Sequence, residues 1–205
     1  MKWIWIRHGE TIANRTKRYC GHWDLPLLRD GEIRVQETAC QWKGWVDRLV
    51  TSDLRRCMDT ARIWHKRFPS ASWSVRPELR ELGFGEWEGL TFDEIQQQDP
   101  NGLQRWLDDP EQQSPPGGES VKQMCQRLAA WLHEERTSGK ADETVAVITH
   151  GGPIRWFLSW EVRQAPHTFW EDQIPPGGWV AVEDTGRGWR VAAWSEDVKV
   201  KDDKE

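Results

Sequence analysis

Five side chains scattered between positions 7 and 150 are of the types that move a phosphoryl group: Arg7, His8, Arg56, Glu81 and His150. A neutral imidazole can attack phosphorus and form a covalent phosphohistidine. The group in transit carries charge on its equatorial oxygens, so the protein's task is positioning and electrostatic stabilisation. Guanidinium forks match two such oxygens at once. Arg7 and Arg56 suit that role, and His150, if protonated, would add a third positive partner. The leaving alcohol needs a proton, which a carboxyl group can supply. Glu81 is the candidate donor, and it would then take a proton from the water that cleaves the phosphoenzyme.

These residues need elements that converge. Trp3-Ile4-Trp5-Ile6 runs directly into Arg7-His8-Gly9, and Val145-Ala146-Val147-Ile148 runs into Thr149-His150-Gly151. Short apolar runs rich in Ile, Val and Trp and closed by Gly read as buried parallel strands. In open parallel sheets, ligands bind just beyond the carboxyl ends of the strands. A third run, Leu49-Val50-Thr51, ends at Ser52-Asp53, with Arg56 one turn into the next helix. Three strand ends can thus share one crevice. A lone His, Arg or Glu is more often structural than catalytic; five in order at strand ends and turns are not explained that way.

The rest of the chain is punctuated to match. Strands are expected over 2–7, 47–51, 73–76, 143–149, 178–184 and 188–194, the last two as a hairpin. A loop should carry Asn14 to Pro26, followed by helices over 29–44 and from Ser52, a plausible N-cap, to Phe68. Residues 90–118 read as an insertion with helices over 91–98 and 101–109, broken by Asp99-Pro100-Asn101-Gly102 and Ser114-Pro115-Pro116-Gly117-Gly118. Glu119-Ser120 opens a long helix to Glu135, and Pro153 suits the first turn of the helix after Gly151. The amides at that helix start, Gly151 among them, could face phosphate. The expected fold is α/β: a three-layer sandwich with a mostly parallel central sheet, helices on both faces and a small helical cap. One domain should span 1–194, followed by a charged, frayed tail over 195–205.

Four segments in this order resemble the histidine phosphatase superfamily, the phosphoglycerate-mutase-like group. They are Arg7-His8-Gly9-Glu10-Thr11, Ser52-Asp53-Leu54-Arg55-Arg56, Glu81 ahead of Phe84-Gly85-Glu86-Trp87-Glu88-Gly89, and Thr149-His150-Gly151-Gly152. The resemblance implies that His8 becomes phosphorylated, that Arg7, Arg56 and His150 hold the phosphoryl group, and that Glu81 donates the proton. Its spacing points to Arg56 rather than Arg55. It also implies that Asn14 touches phosphate and that Arg18, Cys20 and Gly21 lie in a substrate-proximal loop.

Within the superfamily, mutases carry a longer insertion between the acid and the second histidine; here 68 residues separate Glu81 from His150. Water is therefore the expected acceptor. Trp3 to Thr11, the Arg18-Tyr19-Cys20-Gly21-His22 loop followed by Asp24-Leu25-Pro26-Leu27, and Gly177-Gly178-Trp179 resemble the α-ribazole phosphatases of cobalamin synthesis. That implies α-ribazole 5′-phosphate as substrate. Broad-specificity and fructose-2,6-bisphosphatase-like phosphatases share much of the pattern and stay open. A mutase, a non-catalytic binding module and a Trp-rich carbohydrate binder fit less well, because all five phosphoryl-transfer residues are present and ordered.

Composition bounds the partners. A chain of 205 residues, 37% hydrophobic and 30% charged, suits one soluble domain with a sizeable core. Net charge −5 argues against generic nucleic-acid binding. The opening apolar run is too short for a signal peptide, and no stretch reaches the length of a membrane span. Cys20, Cys40, Cys57 and Cys125 show no metal-ligand spacing and read as free thiols in a reducing cytoplasm. No metal or other cofactor is expected; the partner is a small phosphomonoester, and the chain a monomer or homodimer. His22, His65, His133 and His167 are not expected in catalysis. Sixteen Trp against one Tyr is unusual. Most should be core, as Trp supplies large apolar area; Trp87 and Trp106, flanking the cap, are the best candidates to meet a substrate ring.

Overall fold

The first strand shows how the sheet is made two-faced. In β1 (Lys2–Arg7), Trp3, Ile4, Trp5 and Ile6 are all fully buried. Successive side chains point to opposite faces, so the two Trp go one way and the two Ile the other. The computed structural model describes residues 1–196, and the rest of the charged tail lies outside the described residues.

Six strands and seven helices are described. After β1 come α1 (Ile12–Arg15), α2 (Arg29–Gln41), β2 (Arg48–Thr51), α3 (Arg55–Arg67) and β3 (Ser72–Val75). Then follow α4 (Phe92–Gln98), α5 (Pro100–Asp108), α6 (Val121–Ser138), β4 (Thr144–Thr149), α7 (Gly151–Trp156), β5 (Trp179–Asp184) and β6 (Trp189–Trp194). The strands form one sheet in the order β3-β2-β4-β1-β5-β6. Pairings β1–β4, β2–β4 and β2–β3 are parallel, while β1–β5 and β5–β6 are antiparallel. The sheet is mostly parallel, as expected.

Each face has its own core. Trp3 and Trp5 pack with Val145, Val147, Val180 and Val182 against Leu128 and Trp131 of α6 and against Trp156 and Phe157. Trp5 stacks on Phe157 at 4.2 Å between ring centroids, and Trp131 meets both Trp3 and Trp5 edge-on. On the other face Ile4, Ile6, Leu49, Ala146 and Ile148 meet Val35 and Ala39 of α2 and Cys57, Ala61 and Trp64 of α3. Truncating one of these Trp to Ala would cost about 3–5 kcal/mol. Two such layers around a sheet make the three-layer sandwich. No helix among the described residues is long and apolar enough to cross a membrane.

Several local expectations need correction. Ser52 does not cap α3: its N–H still pairs with the Ile148 carbonyl at 3.0 Å, so the chain stays extended and Leu54 takes the N-cap position. The loop after β1 contains α1, whose capping box joins Thr11 and Asn14. Helix α2 stops at Gln41 rather than 44, since Trp42 turns extended and sets its ring edge-on to Trp179. Helix α6, capped by Ser120 and Gln123, runs three residues beyond Glu135, to Ser138. Helix α7 continues into an unforeseen π-helical segment, Phe157–Val162. Ser195, where the tail is expected to begin, is buried and held by two hydrogen bonds to the Trp179 backbone.

Candidate active site

Register places the two histidines side by side. Arg7 of β1 lies opposite Thr149 of β4, and the His8 N–H donates to the Thr149 carbonyl at 2.9 Å. Both chains then leave the sheet at the same level, and the His8 and His150 ring centroids are 5.1 Å apart. Neighbouring β2 ends at the same height and turns into α3, which brings in Arg56. Arg56 is fully buried, whereas the Arg55 side chain is 61% exposed and pairs with Asp59.

His8 is set up as a neutral base. Its Nδ1 lies 2.7 Å from the Gly9 carbonyl. A carbonyl only accepts, so the proton sits on Nδ1 and Nε2 keeps a free lone pair. Burial, then Arg56 and Arg7, push the imidazole pKa well below its ordinary value of 6.5. His150 differs from expectation. Burial, Arg56 and His8 depress its pKa likewise. Its Nδ1 accepts from Arg56 Nε at 3.1 Å, so Nε2 carries the proton and donates to Ser52 Oγ at 3.0 Å. In this site His150 is neutral and supplies no positive charge; sequence could not reveal its burial between cations.

Arg7 is a cation short of partners. Its Nη1 donates to the Ile174 carbonyl at 2.7 Å, but its buried Nε has no partner. Burial lowers its pKa to about 10, against the raising influence of Glu81. A buried donor left unpaired costs about 1–3 kcal/mol, a cost that an incoming anionic oxygen would relieve.

Glu81 is held by backbone. Its Oε1 accepts from Leu82 N–H at 3.0 Å, and both oxygens lie 3.1 Å from Gly152 N at the start of α7. The turn that carries it is clamped from α6. Arg127 donates to the carbonyls of Glu78, Arg80 and Glu81 at 2.7, 2.8 and 2.9 Å while pairing with both oxygens of Glu119 at 2.8 Å.

A cavity of about 310 Å³ opens in front of these groups. Arg7, His8, Glu81 and Gly152 line one end, with Asn14, Arg18 and Cys20 beside them. Asn14 spends its Oδ1 on the Thr11 N–H and hydroxyl, leaving its amide nitrogen for the cavity. Arg18 is committed to the Glu94 carboxylate and the Gly89 carbonyl, tying the loop to α4. Cys20 is a protonated thiol, pushed up to about 11 by burial.

Arg56, His150, Gly21 and Gly151 do not line the cavity. Arg56 and His150 are buried beside His8, and Gly21 presents its carbonyl to Arg56 Nη2 at 2.6 Å. A Cβ built on Gly151 would stand 3.6 Å from Arg7 Cζ and 3.7 Å from Glu81 Oε2, so Gly151 sits between the two.

The same cavity is also lined by aromatic and cationic groups: Phe84, Trp106, Phe169 and Trp170, with Lys17 and Arg155. Arg155 lies 5.8 Å above the Trp170 ring. Of the two Trp singled out from sequence, Trp106 reaches the cavity and Trp87 is buried beneath it, edge-on to Trp106. Lys17, Arg155, Phe169 and Trp170 escaped sequence reasoning. His22 touches the Glu81 carbonyl through Nε2 at 3.1 Å, and His65 packs on Trp73.

The sequence profile of the histidine phosphatase superfamily (branch 1) matches residues 3–197. A bifunctional protein of Mycobacterium tuberculosis is 34% identical over 155 residues, 75% of this chain; the chain spans only 42% of that protein's length. The adenosylcobalamin/α-ribazole phosphatase of Escherichia coli K12 is 27% identical over 184 residues, 88% of each chain. The α-ribazole phosphatase of Shigella flexneri superposes with TM-score 0.87 at 23% identity, over 98% of this chain and 100% of that one. A mycobacterial glucosyl-3-phosphoglycerate phosphatase with VO3 superposes with TM-score 0.81 at 26% identity, over 95% and 98%.

Proposed function

Because the chain belongs to the histidine phosphatase superfamily, we propose that it hydrolyses phosphomonoesters through a phosphohistidine on His8, and that its substrate is α-ribazole 5′-phosphate. The observation that carries the first part is the locked His8 ring. With Nδ1–H held on the Gly9 carbonyl, Nε2 is a neutral nucleophile at neutral pH, beside an unpartnered Arg7 Nε and the Glu81 carboxyl.

The steps follow from those positions. Arg7 and Arg56 draw in the phosphoryl dianion, and Asn14 offers its amide nitrogen. His8 Nε2 bonds to phosphorus as the ester P–O bond breaks. The leaving alkoxide takes the proton of the Glu81 carboxyl and departs as the alcohol. Glu81, now a carboxylate, takes a proton from water. The water oxygen bonds to phosphorus, the P–N bond breaks and inorganic phosphate leaves. His150 holds Arg56 in line through its Nδ1 rather than adding charge of its own. The positive field that draws in the dianion also adds to burial in keeping His8 unprotonated.

The aromatic lining of the cavity supports the second part, since Trp106, Phe169 and Trp170 would suit a benzimidazole. The E. coli α-ribazole phosphatase, aligned over 88% of both chains, adds to it. A second reading has its own observation. Lys17 and Arg155 also line the cavity and would suit a substrate with a further acidic group, such as a phosphoglycerate derivative or a sugar bisphosphate. The deciding experiment is kcat/KM for phosphate release from α-ribazole 5′-phosphate beside 3-phosphoglycerate, fructose 2,6-bisphosphate and nitrophenyl phosphate. A preference of about a hundredfold, or ~2.7 kcal/mol of transition-state discrimination, for the ribazole compound is expected. A preference for either acidic substrate overturns the assignment in favour of the second reading.

A further inference from the structure

The loop over residues 20–23 lies between an anion and a cation. On one side the Glu88 carboxylate accepts four backbone amides. Its Oε1 takes those of His22 at 2.7 Å and Phe84 at 3.1 Å; its Oε2 takes those of Gly21 at 2.9 Å and Trp23 at 3.1 Å. On the other side the Arg56 guanidinium donates to the carbonyls of Gly21 at 2.6 Å, Trp23 at 2.9 Å and Cys20 at 3.5 Å.

Two peptide units are shared between the charges. The unit joining Cys20 to Gly21 gives its N–H to Glu88 and its C=O to Arg56, and so does the unit joining Gly21 to His22. Their dipoles therefore run from carboxylate to guanidinium, and each charge polarises the bonds the other makes. Gly21 is needed for the approach: a Cβ there would stand 2.0 Å from the Leu82 carbonyl oxygen and 2.6 Å from Glu88 Oε1.

We propose that Glu88 is a positioning residue for Arg56: through the backbone of residues 20–23 it holds in place the guanidinium whose charge draws in the phosphoryl group, without touching substrate. The proposal rests on the reading of Arg56 as a source of that charge. A buried Arg on a helix has many rotamers; His150 holds Nε of this one, and three carbonyls fix its two Nη groups only if the carbonyls are themselves fixed. Three loop amides on one carboxylate, those of Gly21, His22 and Trp23, do that. A glutamine of the same shape cannot, because its NH₂ group has no lone pair for the two amides that Glu88 Oε1 or Oε2 now accepts.

The test is the dissociation constant for orthovanadate, measured by titration on the full chain, for wild type, Glu88→Gln, Arg56→Ala and the double variant. Glu88→Gln is expected to weaken vanadate binding about tenfold or more, yet to change it less than about twofold once Arg56 is gone. The kcat/KM values of an alkyl phosphate and of nitrophenyl phosphate should fall together, unlike the split expected when the proton donor is disturbed. A wild-type vanadate constant in Glu88→Gln, or the same factor with and without Arg56, overturns the proposal. A binding constant reads only folded molecules. Should Glu88→Gln fail to fold, Glu88→Asp keeps the charge at shorter reach; its smaller loss must also vanish without Arg56, and a loss that persists overturns the proposal too. Vanadate binding does not depend on which ester is the natural substrate, so failure of the ribazole assignment leaves the test intact. A wild-type chain that binds no vanadate would overturn both the phosphatase reading and this one.

Discussion

Gly152→Ala would isolate the proposed proton donor, Glu81, from the rest of the site. A Cβ at this position would stand 2.2 Å from Glu81 Oε1, whereas ordinary contact begins at 3.4 Å, so the carboxylate must retreat by 1.2 Å, the difference of the two. The next nearest atoms, Glu81 Cδ and Met124 Sδ, are both 3.3 Å away, so only the end of one flexible side chain is displaced. Gly152 is not among the glycines with positive φ, and alanine suits the first turn of α7. The melting temperature should therefore hold.

Misplacing a catalytic group by about 1 Å costs ~10²-fold in rate, or about 2.7 kcal/mol. The loss should depend on the leaving group. An alkoxide needs the Glu81 proton to depart, whereas nitrophenolate leaves without it. The quantity to measure is kcat/KM, which stops at P–O cleavage and excludes the later hydrolysis that Glu81 also serves. We expect about a hundredfold loss for an alkyl phosphate and less than about fivefold for nitrophenyl phosphate. Equal losses on the two esters, or none on the alkyl ester, would refute Glu81 as the leaving-group acid.

His8→Ala should abolish turnover while leaving the fold intact, and wild type quenched in alkali during turnover should carry a phosphoryl group that the variant lacks; unchanged hydrolysis would sink the nucleophile assignment. Stability should also respond to His8 and His150, whose folded pKa values lie well below 6.5. In the unfolded chain both take protons near 6.5, so the unfolded state binds more protons as pH falls; their contribution is whole above that value and is lost progressively below it. Stability should therefore fall as pH drops through 6.5. Urea unfolding at pH 7.5 and 5.5 checks this, and His8→Ala should remove about half of the histidine-linked pH dependence. A midpoint that does not move would mean that the imidazoles are charged in the folded state.

Residues on strands were the legible part. Trp3-Ile4-Trp5-Ile6 and Val145-Ala146-Val147-Ile148 announce strands by type, and whatever follows a buried parallel strand lies at the ligand end of the sheet. That puts His8 and His150 at one end of the sheet, and one helical turn does the same for Arg56. Arg127 acts on backbone carbonyls, which every residue carries and no motif marks, and Glu88, though it stands in the Phe84 to Gly89 segment, acts on backbone amides, so its type gave no hint of what it holds. Lys17 sits in the left-handed region, φ 54°, just past α1, and Trp170 and Arg155 belong to the segment around the π-helical stretch. Neither place has the periodicity that sequence reading needs. Ser52 carries an N-cap type but is drawn off by the sheet ladder, and its hydroxyl meets His150 instead. Tryptophan count gave no placement: Trp3 and Trp5 are core, Trp106 and Trp170 meet the cavity, and only packing distinguishes them.

A net charge of −5 is no obstacle to binding a dianion here. Charges beyond a Debye length, about 8 Å at physiological salt, are screened at an exposed surface, whereas Arg7 and Arg56 act at short range inside a buried site. That local field has two effects of the same origin. It adds to burial, the larger cause, in lowering the histidine pKa values, which suits His8 to the proposed role of nucleophile, and it would attract the phosphoryl group. Once the phosphoryl oxygens arrive, they neutralise the field, so the energy held as repulsion between Arg7, Arg56 and Arg155 becomes binding energy for substrate. Replacing Arg56 with a neutral side chain would therefore weaken phosphoryl binding and raise the pKa of His8 together; a change in one without the other would separate two effects that the geometry ties to a single guanidinium.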